Sequence, residues 1–393
     1  MDDTVDVATP TISPAPTFSS KAVEEDNSRL VAYLGSWQSC PNDTQVSKYT
    51  HIIISFAVSY KYSPGRNICS QTCEISDPAV CDNKVDTDLI ANWKAAGKKV
   101  LFSFGGAGMG STGNFDNDCW EYCYGRETQV IDRLVEISNN LGLDGIDIDF
   151  EYHVTEKAAK FLNEVTVGLK NALPEGSLVT HAPMDLEIEP GLPYYDEVLK
   201  VSGSALDFLM PQYYNGNIRP ILEGIDGSKS SWRPNAIDHY TDLVDGIYGG
   251  DSTRVVFGFC IADCSDWNGD GWQASVVMTD LAKTYPCNGG AFFWVAEDDK
   301  DELWSTSVSS TIESLASEAQ CQPRGIHANP KTPKPTPAPT SKPAPSDPLQ
   351  HQTYTTGETG IESQGLYVNS GGSSRHRFFL APCIGVAILF LAL

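Results

Sequence analysis

Positive charge is scarce in this sequence. Its 393 residues include 27 Lys and Arg against 51 Asp and Glu, which gives a formal net charge of −24 at pH 7. Because proteins hold nucleic-acid phosphates with Lys and Arg, this composition argues against a nucleic-acid partner. A neutral substrate fits the charge better.

A secretory leader is also missing. The run that begins with Met1-Asp2-Asp3 is acidic and polar, without the basic n-region and the apolar h-region of a signal peptide. The cysteines and a glycosylation sequon at Asn42 point to an oxidising, extracellular compartment nonetheless. We therefore expect a secreted protein, and either a truncated start or a missing first exon would explain the absent leader.

The apolar run at the end of the chain is too short for a membrane span. Residues 378–393 fall below the length of about 20 residues that a transmembrane helix needs. Small residues at 369–372 and a short polar spacer precede this run, a pattern typical of a GPI-anchor signal. We expect residues 371–393 to be such a signal, so that a lipid anchor attaches the protein to the cell surface. A tail anchor or an aggregation-prone C terminus is the alternative.

The cysteines lack the C-x-x-C spacing that zinc sites favour. All of the 11 except Cys383 lie between Cys40 and Cys321, which leaves an even number for the globular part. Disulfides are the favoured interpretation. The spacing leaves their connectivity open; we expect the two closest pairs to form local bridges, and Cys287 with Cys321 to tie down the end of the domain. The closely spaced C-x-x-x-C pairs are Cys69 with Cys73, Cys119 with Cys123, and Cys260 with Cys264.

Composition divides the chain into parts. Residues 1–28 contain Thr-Pro, Ser-Pro and Ala-Pro dipeptides and are expected to form a disordered lead-in. Residues 322–370 are rich in Pro, Thr and Ser, which predicts an extended linker or stalk. Between them, residues 29–321 have the length of one large domain, since a (β/α)8 barrel takes about 250 residues.

Apolar runs alternate with amphipathic segments through this domain. Eight runs predict β-strands, at residues 30–37, 51–58, 99–104, 144–151, 178–184, 206–214, 254–260 and 290–296. Amphipathic segments predict helices at residues 86–97, 126–141, 156–173, 194–201, 239–248, 275–285 and 303–319. This alternation predicts an α/β fold, a (β/α)8 TIM barrel whose parallel strands are buried on both sides.

The fourth strand carries acids where a buried strand should carry hydrophobic residues. Side chains alternate across a strand, so Asp147, Asp149 and Glu151 share one face, opposite the apolar residues between them. Carboxylates about 7 Å apart repel one another, and burial raises their pKa. This cost favours catalysis, with Glu151 nearest the substrate because barrel active sites lie at the C-terminal ends of strands. A calcium loop, against which the intervening apolar residues argue, and a solvated edge strand are the alternatives.

Other motifs allow more than one interpretation. Gly105 and Gly106 follow the third strand, but no phosphate-binding glycine motif continues from them, so a close backbone approach is favoured. Residues 266–271 match the first half of a calcium loop, yet its twelfth position is Val277 rather than Glu, which favours a turn. A lone strand histidine such as His181 is more often a core residue than a general base. We expect neither a metal nor a cofactor.

The acidic strand, with Asp144, Asp147, Asp149 and Glu151, matches the D-x-x-D-x-D-x-E signature of glycoside hydrolase family 18. Over residues 30–320 the chain resembles this family of chitinases and endo-β-N-acetylglucosaminidases. Ser103, Gly105 and Gly106 resemble its S-x-G-G strand, and Gln-Tyr-Tyr-Asn at 212–215 resembles the Q-[FY]-Y-N motif of bacterial and plant-type chitinases. Trp294 and Tyr33 stand where the family has aromatic residues of the central sugar site.

The resemblance implies a substrate-assisted retaining mechanism. Glu151 would protonate the glycosidic oxygen and later activate water, while the N-acetyl oxygen of the substrate attacks the anomeric carbon. Asp149 would hold the acetamido N–H, Asp147 would support Asp149, and Tyr214 would donate its hydroxyl to the acetamido carbonyl. The residues expected to bind substrate are Tyr33, Gly105, Gly106, Gln212, Asn215, Trp294 and, on the loop after strand seven, Trp267.

Two departures from the family bear on the type of cleavage. The segment between strands seven and eight is too short for the additional α/β subdomain of processive chitinases, and Ala107 stands where those enzymes often have Trp. We therefore expect a single catalytic domain with a shallow groove, an endo-acting and monomeric chitinase that takes chitin or N-acetylglucosamine oligosaccharides. The alternatives are an endo-β-N-acetylglucosaminidase for the chitobiose core of N-glycans, and a non-catalytic chitin-binding lectin, against which the presence of Glu151 argues.

Overall fold

Parallel strands surround the centre of the fold. In the computed structural model they are β1 (Arg29–Gly35), β2 (His51–Ala57), β3 (Lys99–Gly105), β4 (Gly145–Asp149), β5 (Leu178–His181), β6 (Phe208–Leu209), β7 (Phe257–Cys260) and β8 (Gly290–Trp294). They form one sheet in the order β7-β8-β1-β2-β3-β4-β5-β6. A parallel bridge between Leu209 and Val255 joins its two edges, where the Val256 N–H donates to the Leu209 carbonyl at 2.8 Å. The predicted (β/α)8 barrel is confirmed.

The structure describes residues 29–63, 67–107, 119–152, 154–185, 187–188, 194–222, 225–226, 234–261 and 269–321. The predicted lead-in at residues 1–28, the linker at 322–370 and the anchor signal at 371–393 lie outside these ranges. Within them, no helix has both the length and the apolar composition to cross a membrane.

Side-chain alternation along the strands separates two apolar layers. Val31, Tyr33 and Ile53 belong to the cluster that fills the barrel interior. Their neighbours along the strands, among them Leu30 and Ile52, belong to a larger cluster that includes the inner faces of the helices. Both faces of β1 and β2 are therefore buried, as expected for a parallel sheet covered by helices.

Helices follow the strands and pack around the barrel. They are α1 (Thr87–Ala95), α2 (Glu127–Leu141), α3 (Glu156–Ala172), α4 (Tyr195–Ser202), α5 (Ala236–Gly246), α6 (Gly271–Thr284) and α7 (Leu303–Glu318). Polar side chains cap the backbone N–H groups that begin four of them. The capping residues are Asp86 for α1, Thr155 for α3, Asn235 for α5 and Asp270 for α6, the last in a capping box with Gln273. The predicted helices are confirmed, with ends that differ by a few residues.

Shorter elements occur in the connections. Two antiparallel hairpins pair Tyr60–Lys61 with Ile68–Cys69 and Ile221–Leu222 with Ile225–Asp226. Short 3-10 helices lie at Trp120–Tyr122, Gly203–Ala205, Ser252–Arg254 and Ala296–Asp299. The segment between β7 and β8 contains α6.

Several strands are shorter than predicted, and two of them carry or precede residues of the candidate site. Strand β4 ends at Asp149 rather than at Glu151, because its partner β3 turns away at Gly105 and Gly106, whose φ angles are +121° and +79°. Strand β6 contains only Phe208–Leu209 of the predicted run 206–214, because Pro211 has no N–H to donate to the ladder. Glu151 therefore lies just beyond a strand end, where the backbone is no longer held by a neighbouring strand.

The disulfides connect distant segments. The expected local bridges are wrong for the first two C-x-x-x-C pairs: Cys69 binds Cys119 and Cys73 binds Cys123, with Cα atoms 5.4 and 5.0 Å apart. Cys119 and Cys123 flank the 3-10 helix Trp120–Tyr122, so that each can bind one cysteine of the pair Cys69 and Cys73. The pairing of Cys287 with Cys321 is confirmed, and Cys40 binds Cys81.

Candidate active site

Asp147 is the innermost carboxylate of β4. It is fully buried, and three hydroxyl groups, from residues on β1, β3 and β5, donate to it. Tyr33 Oη and Ser103 Oγ lie 2.9 and 2.7 Å from its Oδ2, and Thr180 Oγ1 lies 2.7 Å from its Oδ1. Burial raises the pKa of Asp147 to about 6, although the three hydroxyl groups favour the charged form and oppose that rise.

Asp149 lies two residues further along β4, one step nearer the open end of the barrel. Its side chain is buried, and its Oδ1 accepts a hydrogen bond from Gln212 Nε2 at 2.9 Å. Burial, together with the negative charges of Glu151 and Asp147, raises the pKa of Asp149 well above its usual range. Asp149 is therefore harder to ionise than an exposed carboxyl group, while the hydrogen bond from Gln212 favours its charged form and opposes that rise.

Glu151 is half-buried at the mouth of the barrel, just after β4. Burial of the carboxyl group raises its pKa to about 7, while hydrogen bonds with Gln212, Asp149 and the Ala107 backbone act in the opposite direction. A carboxyl group that titrates near neutrality can both give and take a proton, which is what a general acid and base requires.

Gln212 joins the two outer carboxyl groups. Its Nε2 lies 2.9 Å from Asp149 Oδ1, 3.2 Å from Glu151 Oε1 and 2.9 Å from the Ala182 carbonyl oxygen. The backbone supports this position, since Gln212 forms a parallel bridge with Met184 in the segment after β5. The amide thus fixes the separation of Asp149 and Glu151 from the opposite side of the site.

Tyr214 and Asn215 follow on the same segment. Tyr214 is buried against the edge of Phe292, with ring centroids 6.1 Å apart. Burial and the charges of Asp149, Glu151 and Asp147 raise the pKa of its hydroxyl well above the usual range, so it stays a hydrogen-bond donor. Asn215 is exposed and has a left-handed backbone with φ +58°. The two residues therefore present a buried hydroxyl and an exposed amide at the same end of the barrel.

Aromatic side chains surround Trp294, which is predicted to bind the central sugar. The indole is half-buried, and the ring of Phe56 stacks beside it at 5.8 Å with an interplanar angle of 16°. Tyr33 lies 6.0 Å and Trp37 lies 6.1 Å from Trp294. Tyr33 itself is only 2% exposed, whereas Trp37 is 52% exposed and extends the aromatic surface outward. This surface suits the apolar face of a sugar ring.

The sequence prediction missed Trp37 and Phe56. Both lie beyond or at the C-terminal ends of the first two strands, β1 and β2, where barrel enzymes place functional side chains. An aromatic residue at the C-terminal end of a predicted barrel strand is the sequence signal that could have identified Trp37 and Phe56.

Gly105 and Gly106 allow the backbone to approach the site closely. A Cβ atom on Gly105 would lie 2.2 Å from the Asp149 carbonyl oxygen, and one on Gly106 would lie 2.6 Å from the Phe56 ring. The Gly106 N–H donates to the Asp149 carbonyl at 2.8 Å. The glycines thus pack the third strand against the backbone of the acidic strand, the close approach expected from their sequence.

Several residues considered from the sequence lie apart from this group. His181 is a core residue between Thr166 and Tyr195, and burial lowers its pKa to about 3. Tyr213 faces away from Tyr214 and hydrogen-bonds to His239. Predicted residue Trp267, His153 and the first half of the calcium-like segment 266–271 lie outside the described residues.

Trp272, next to that loop, is 62% exposed at the start of α6. It borders a groove of about 320 Å³ with Leu222 and Lys283.

Comparison with known proteins supports one family. The model of the family described as glycosyl hydrolases family 18 matches residues 29–273. Among solved structures, a family 18 chitinase from Pseudoalteromonas aurantia is 21% identical; the match covers 72% of this chain and 100% of that chain, with a TM-score of 0.55. A fungal endo-β-N-acetylglucosaminidase of family 18 is 18% identical, with 74% and 99% covered and a TM-score of 0.52.

A third solved structure contains a ligand. A family 18 chitinase from Cycas revoluta in complex with (GlcNAc)3 is 14% identical, with 72% of this chain and 99% of that chain covered and a TM-score of 0.53. At these identities the likeness establishes a shared fold.

Proposed function

The chain belongs to glycosyl hydrolase family 18, and on this basis we propose that it is an endo-acting chitinase that cuts β-1,4 linkages between N-acetylglucosamine units with retention of configuration. The observation that carries this proposal is the pair of Asp149 and Glu151, which both accept a hydrogen bond from the side-chain amide of Gln212 at the mouth of the barrel. The complex of the Cycas revoluta chitinase with (GlcNAc)3 supports an N-acetylglucosamine oligosaccharide as the ligand.

Glu151 is the general acid in this proposal. Its pKa of about 7 leaves a large protonated fraction at neutral pH, and its position at the mouth gives it access to the glycosidic oxygen. Protonation of that oxygen allows the bond to the anomeric carbon to break. The leaving sugar departs as the free hydroxyl.

The substrate supplies the nucleophile. The carbonyl oxygen of the N-acetyl group attacks the anomeric carbon as the glycosidic bond breaks, which forms a cyclic oxazolinium ion. Asp149 receives a hydrogen bond from the acetamido N–H and balances the positive charge that develops. Asp147, held by three hydroxyl donors, is the charged group behind Asp149.

Tyr214 and Trp294 orient the reacting sugar. The hydroxyl of Tyr214 is kept protonated and donates to the acetamido carbonyl, while the indole of Trp294 lies under the sugar ring. Glu151, now a carboxylate, takes a proton from water as that water attacks the anomeric carbon. Two displacements on one carbon restore the original configuration, and Glu151 is protonated again.

An endo-β-N-acetylglucosaminidase is the second candidate, because the same fold is found in the fungal enzyme of that activity and the mechanism requires the same N-acetyl group. The lectin alternative is less well supported, since Glu151 is present and placed next to Asp149. Incubation of the protein with a chitin tetrasaccharide and, separately, with a high-mannose glycopeptide distinguishes the two enzymes by mass spectrometry of the products.

The Glu151→Gln variant tests the catalytic assignment. We expect loss of turnover with retained binding of the oligosaccharide, since glutamine has a similar shape but cannot transfer a proton. Glu156→Gln, on the exposed first turn of α3, is the matched control and should retain activity. Normal turnover by the Glu151 variant would exclude its role as the acid.

The cell-surface location is a proposal from the sequence. The small residues, spacer and apolar tail at the end of the chain support a GPI anchor, and the disulfides fit an extracellular protein. Treatment of intact cells with a phosphatidylinositol-specific phospholipase should release the protein as a monomer. Retention on the membrane would favour a different anchor.

A further inference from the structure

We propose that a buried ion pair, Asp185 with Arg219, positions the segment that carries Tyr214 and Asn215. This inference rests on the proposed function, because it assigns the pair a role in that reaction. Neither residue touches the carboxyl groups of β4 in the hydrogen bonds described above, so both are positioning residues rather than catalytic ones.

The segment after β6 needs support that the barrel does not provide. The ladder of β6 ends at Leu209, and the last parallel bridge on this side joins Met184 to Gln212. Tyr214 and Asn215 come after that bridge, and Asn215 has a left-handed backbone. The position of the Tyr214 hydroxyl therefore depends on contacts made by the residues that follow.

Asp185 provides the first of these contacts. It comes directly after Met184 and is fully buried. Its Oδ2 accepts the backbone N–H of Ile218 at 2.5 Å and lies 3.6 Å from Arg219 Nη1. One loop after β5 thus holds Gln212 through the backbone of Met184 and holds the following turn through the carboxylate of Asp185.

Arg219 holds the same turn from the other side. Its guanidinium is almost fully buried, and it donates from Nη1 to the Ile218 carbonyl at 3.1 Å and from Nη2 to the Gly216 carbonyl at 2.8 Å. The planar donor group of arginine suits this fixed arrangement of acceptors better than the ammonium of lysine would. The backbone polar groups of residues 216–218 are therefore set by one ion pair.

Gly216 transmits the position of the pair to Tyr214. A Cβ atom at Gly216 would lie 1.6 Å from Asp185 Oδ1, so the carboxylate packs directly against the turn. The Gly216 N–H donates to the Tyr214 carbonyl at 2.7 Å. A shift of the carboxylate therefore moves the backbone of a residue that the proposed mechanism uses.

A role in stability alone explains such a pair poorly. Desolvation of two charges offsets much of their attraction, and well-packed apolar residues often replace a buried ion pair without loss of stability. The geometry that the pair imposes on residues 214–219 accounts for its presence at the mouth of the barrel.

The chain offers a matched control pair at the other end of the same strands. Lys170 and Asp207 form an ion pair at 2.6 Å, and Asp207 also accepts the Val179 N–H at 2.7 Å. Asp207 precedes β6 and Val179 is near the start of β5, so this pair connects the same two strands at the N-terminal end, away from the mouth.

The experiment compares Asp185→Asn, Arg219→Lys and Asp207→Asn in the full chain. Kinetics on a chitin tetrasaccharide and hydrogen exchange of residues 213–219 are measured at a temperature where each variant is folded. We expect Asp185→Asn and Arg219→Lys to lower kcat by about 10- to 100-fold, with a change in KM of less than about 3-fold, since misplacement of a catalytic group by about 1 Å can cost that much. Asp207→Asn should keep the wild-type kcat.

Two further results make the test decisive. The double variant Asp185→Asn/Arg219→Lys should lose no more kcat than the worse single variant, because the two residues act as one unit. If one of the single variants does not fold, Gly216→Ala disturbs the same contact, and we expect it to lower kcat as well. A wild-type kcat in the folded Asp185 variant, or an equal loss in the Asp207 variant, would overturn the inference.

Hydrogen exchange separates this inference from the proposed function. If the wild-type protein does not cleave the tetrasaccharide, the proposed chitinase activity fails, but exchange can still be measured. Faster exchange at residues 213–219 in the Asp185 variant, and not in the Asp207 variant, supports the positioning role. Equal exchange in both variants contradicts it.

Discussion

The hydroxyl of Tyr33 donates to Asp147 Oδ2 across 2.9 Å, which links the first strand of the barrel to the innermost carboxylate of the fourth. The sequence predicts Tyr33 as a residue that binds substrate, and the structure places its ring 6.0 Å from that of Trp294 with 2% of its surface exposed. Its described polar contact is with the protein, so Tyr33 stabilises the charge of Asp147 and packs beside Trp294.

The Tyr33→Phe variant tests this relationship. Loss of the hydroxyl removes one of three donors that favour the charged form of Asp147, so the pKa of Asp147, about 6 in the wild type, should rise further. If activity requires Asp147 to be charged, the acidic limb of the kcat/KM profile should move to higher pH. An unchanged limb would mean that the ionisation of Asp147 does not control activity.

The alkaline limb of the same profile should report Glu151. A general acid must be protonated, and burial raises the pKa of Glu151 to about 7, so kcat/KM should fall as the pH rises through about 7. The measurement is the pH dependence of tetrasaccharide hydrolysis by folded wild-type protein. Activity that stays constant from about pH 7 to about pH 9 would contradict the assignment.

Replacement of Gln212 should shift that limb. Gln212 donates to both Asp149 and Glu151 and favours their charged forms, so Gln212→Leu should raise the pKa of Glu151 and move the alkaline limb to higher pH. We also expect kcat to fall about 100-fold, because the two carboxyl groups lose the amide that fixes their geometry. Gln45→Leu, which removes a donor to the Ala296 carbonyl, is the control and should change neither quantity.

Trp37 should contribute to substrate binding. Its half-exposed indole extends the surface of Trp294, and an aromatic contact of about 0.5–1.5 kcal/mol corresponds to a rise in KM of about 2- to 12-fold in Trp37→Ala. Trp272→Ala removes another exposed indole, outside this aromatic group, and should leave the KM for the tetrasaccharide unchanged. An equal rise in KM in the two variants would contradict a specific role of Trp37 in substrate binding.

The paired disulfides should act together in stability. Removal of Cys73–Cys123 by Ser substitutions should cost less than about 4 kcal/mol, the chain-entropy value for a loop of roughly 50 residues, because Cys69–Cys119 still closes the loop. Removal of both disulfides should lower the free energy of unfolding, measured by urea denaturation, by at least about 4 kcal/mol. Cys287–Cys321 is the comparison, because no second described disulfide links the same two segments. Its removal alone should lower the free energy of unfolding by the full value for its loop. A single removal from the pair that costs as much as the double removal would contradict this expectation.

Much of the fold follows from local patterns. The period of the apolar residues indicates eight strands and the helices between them, and the alternation of side chains is enough to assign Asp147 and Asp149 to the face of β4 that points into the barrel. Strand ends are harder to predict, as β6 shows, because hydrogen bonds to neighbouring strands decide where a ladder stops. A local sequence window contains no information about those neighbours.

The order of elements, the barrel and the row of acids can be read from the sequence alone, because they depend on residue types at fixed spacing along one segment. Which residues meet those acids depends on how the barrel closes. Tyr33 is 114 residues from Asp147, and Gln212 is 63 residues from Asp149, yet both pairs are 2.9 Å apart. The cysteine pairing and the Asp185–Arg219 contact arise in the same way, since closure of the barrel brings together segments that no spacing in the sequence relates.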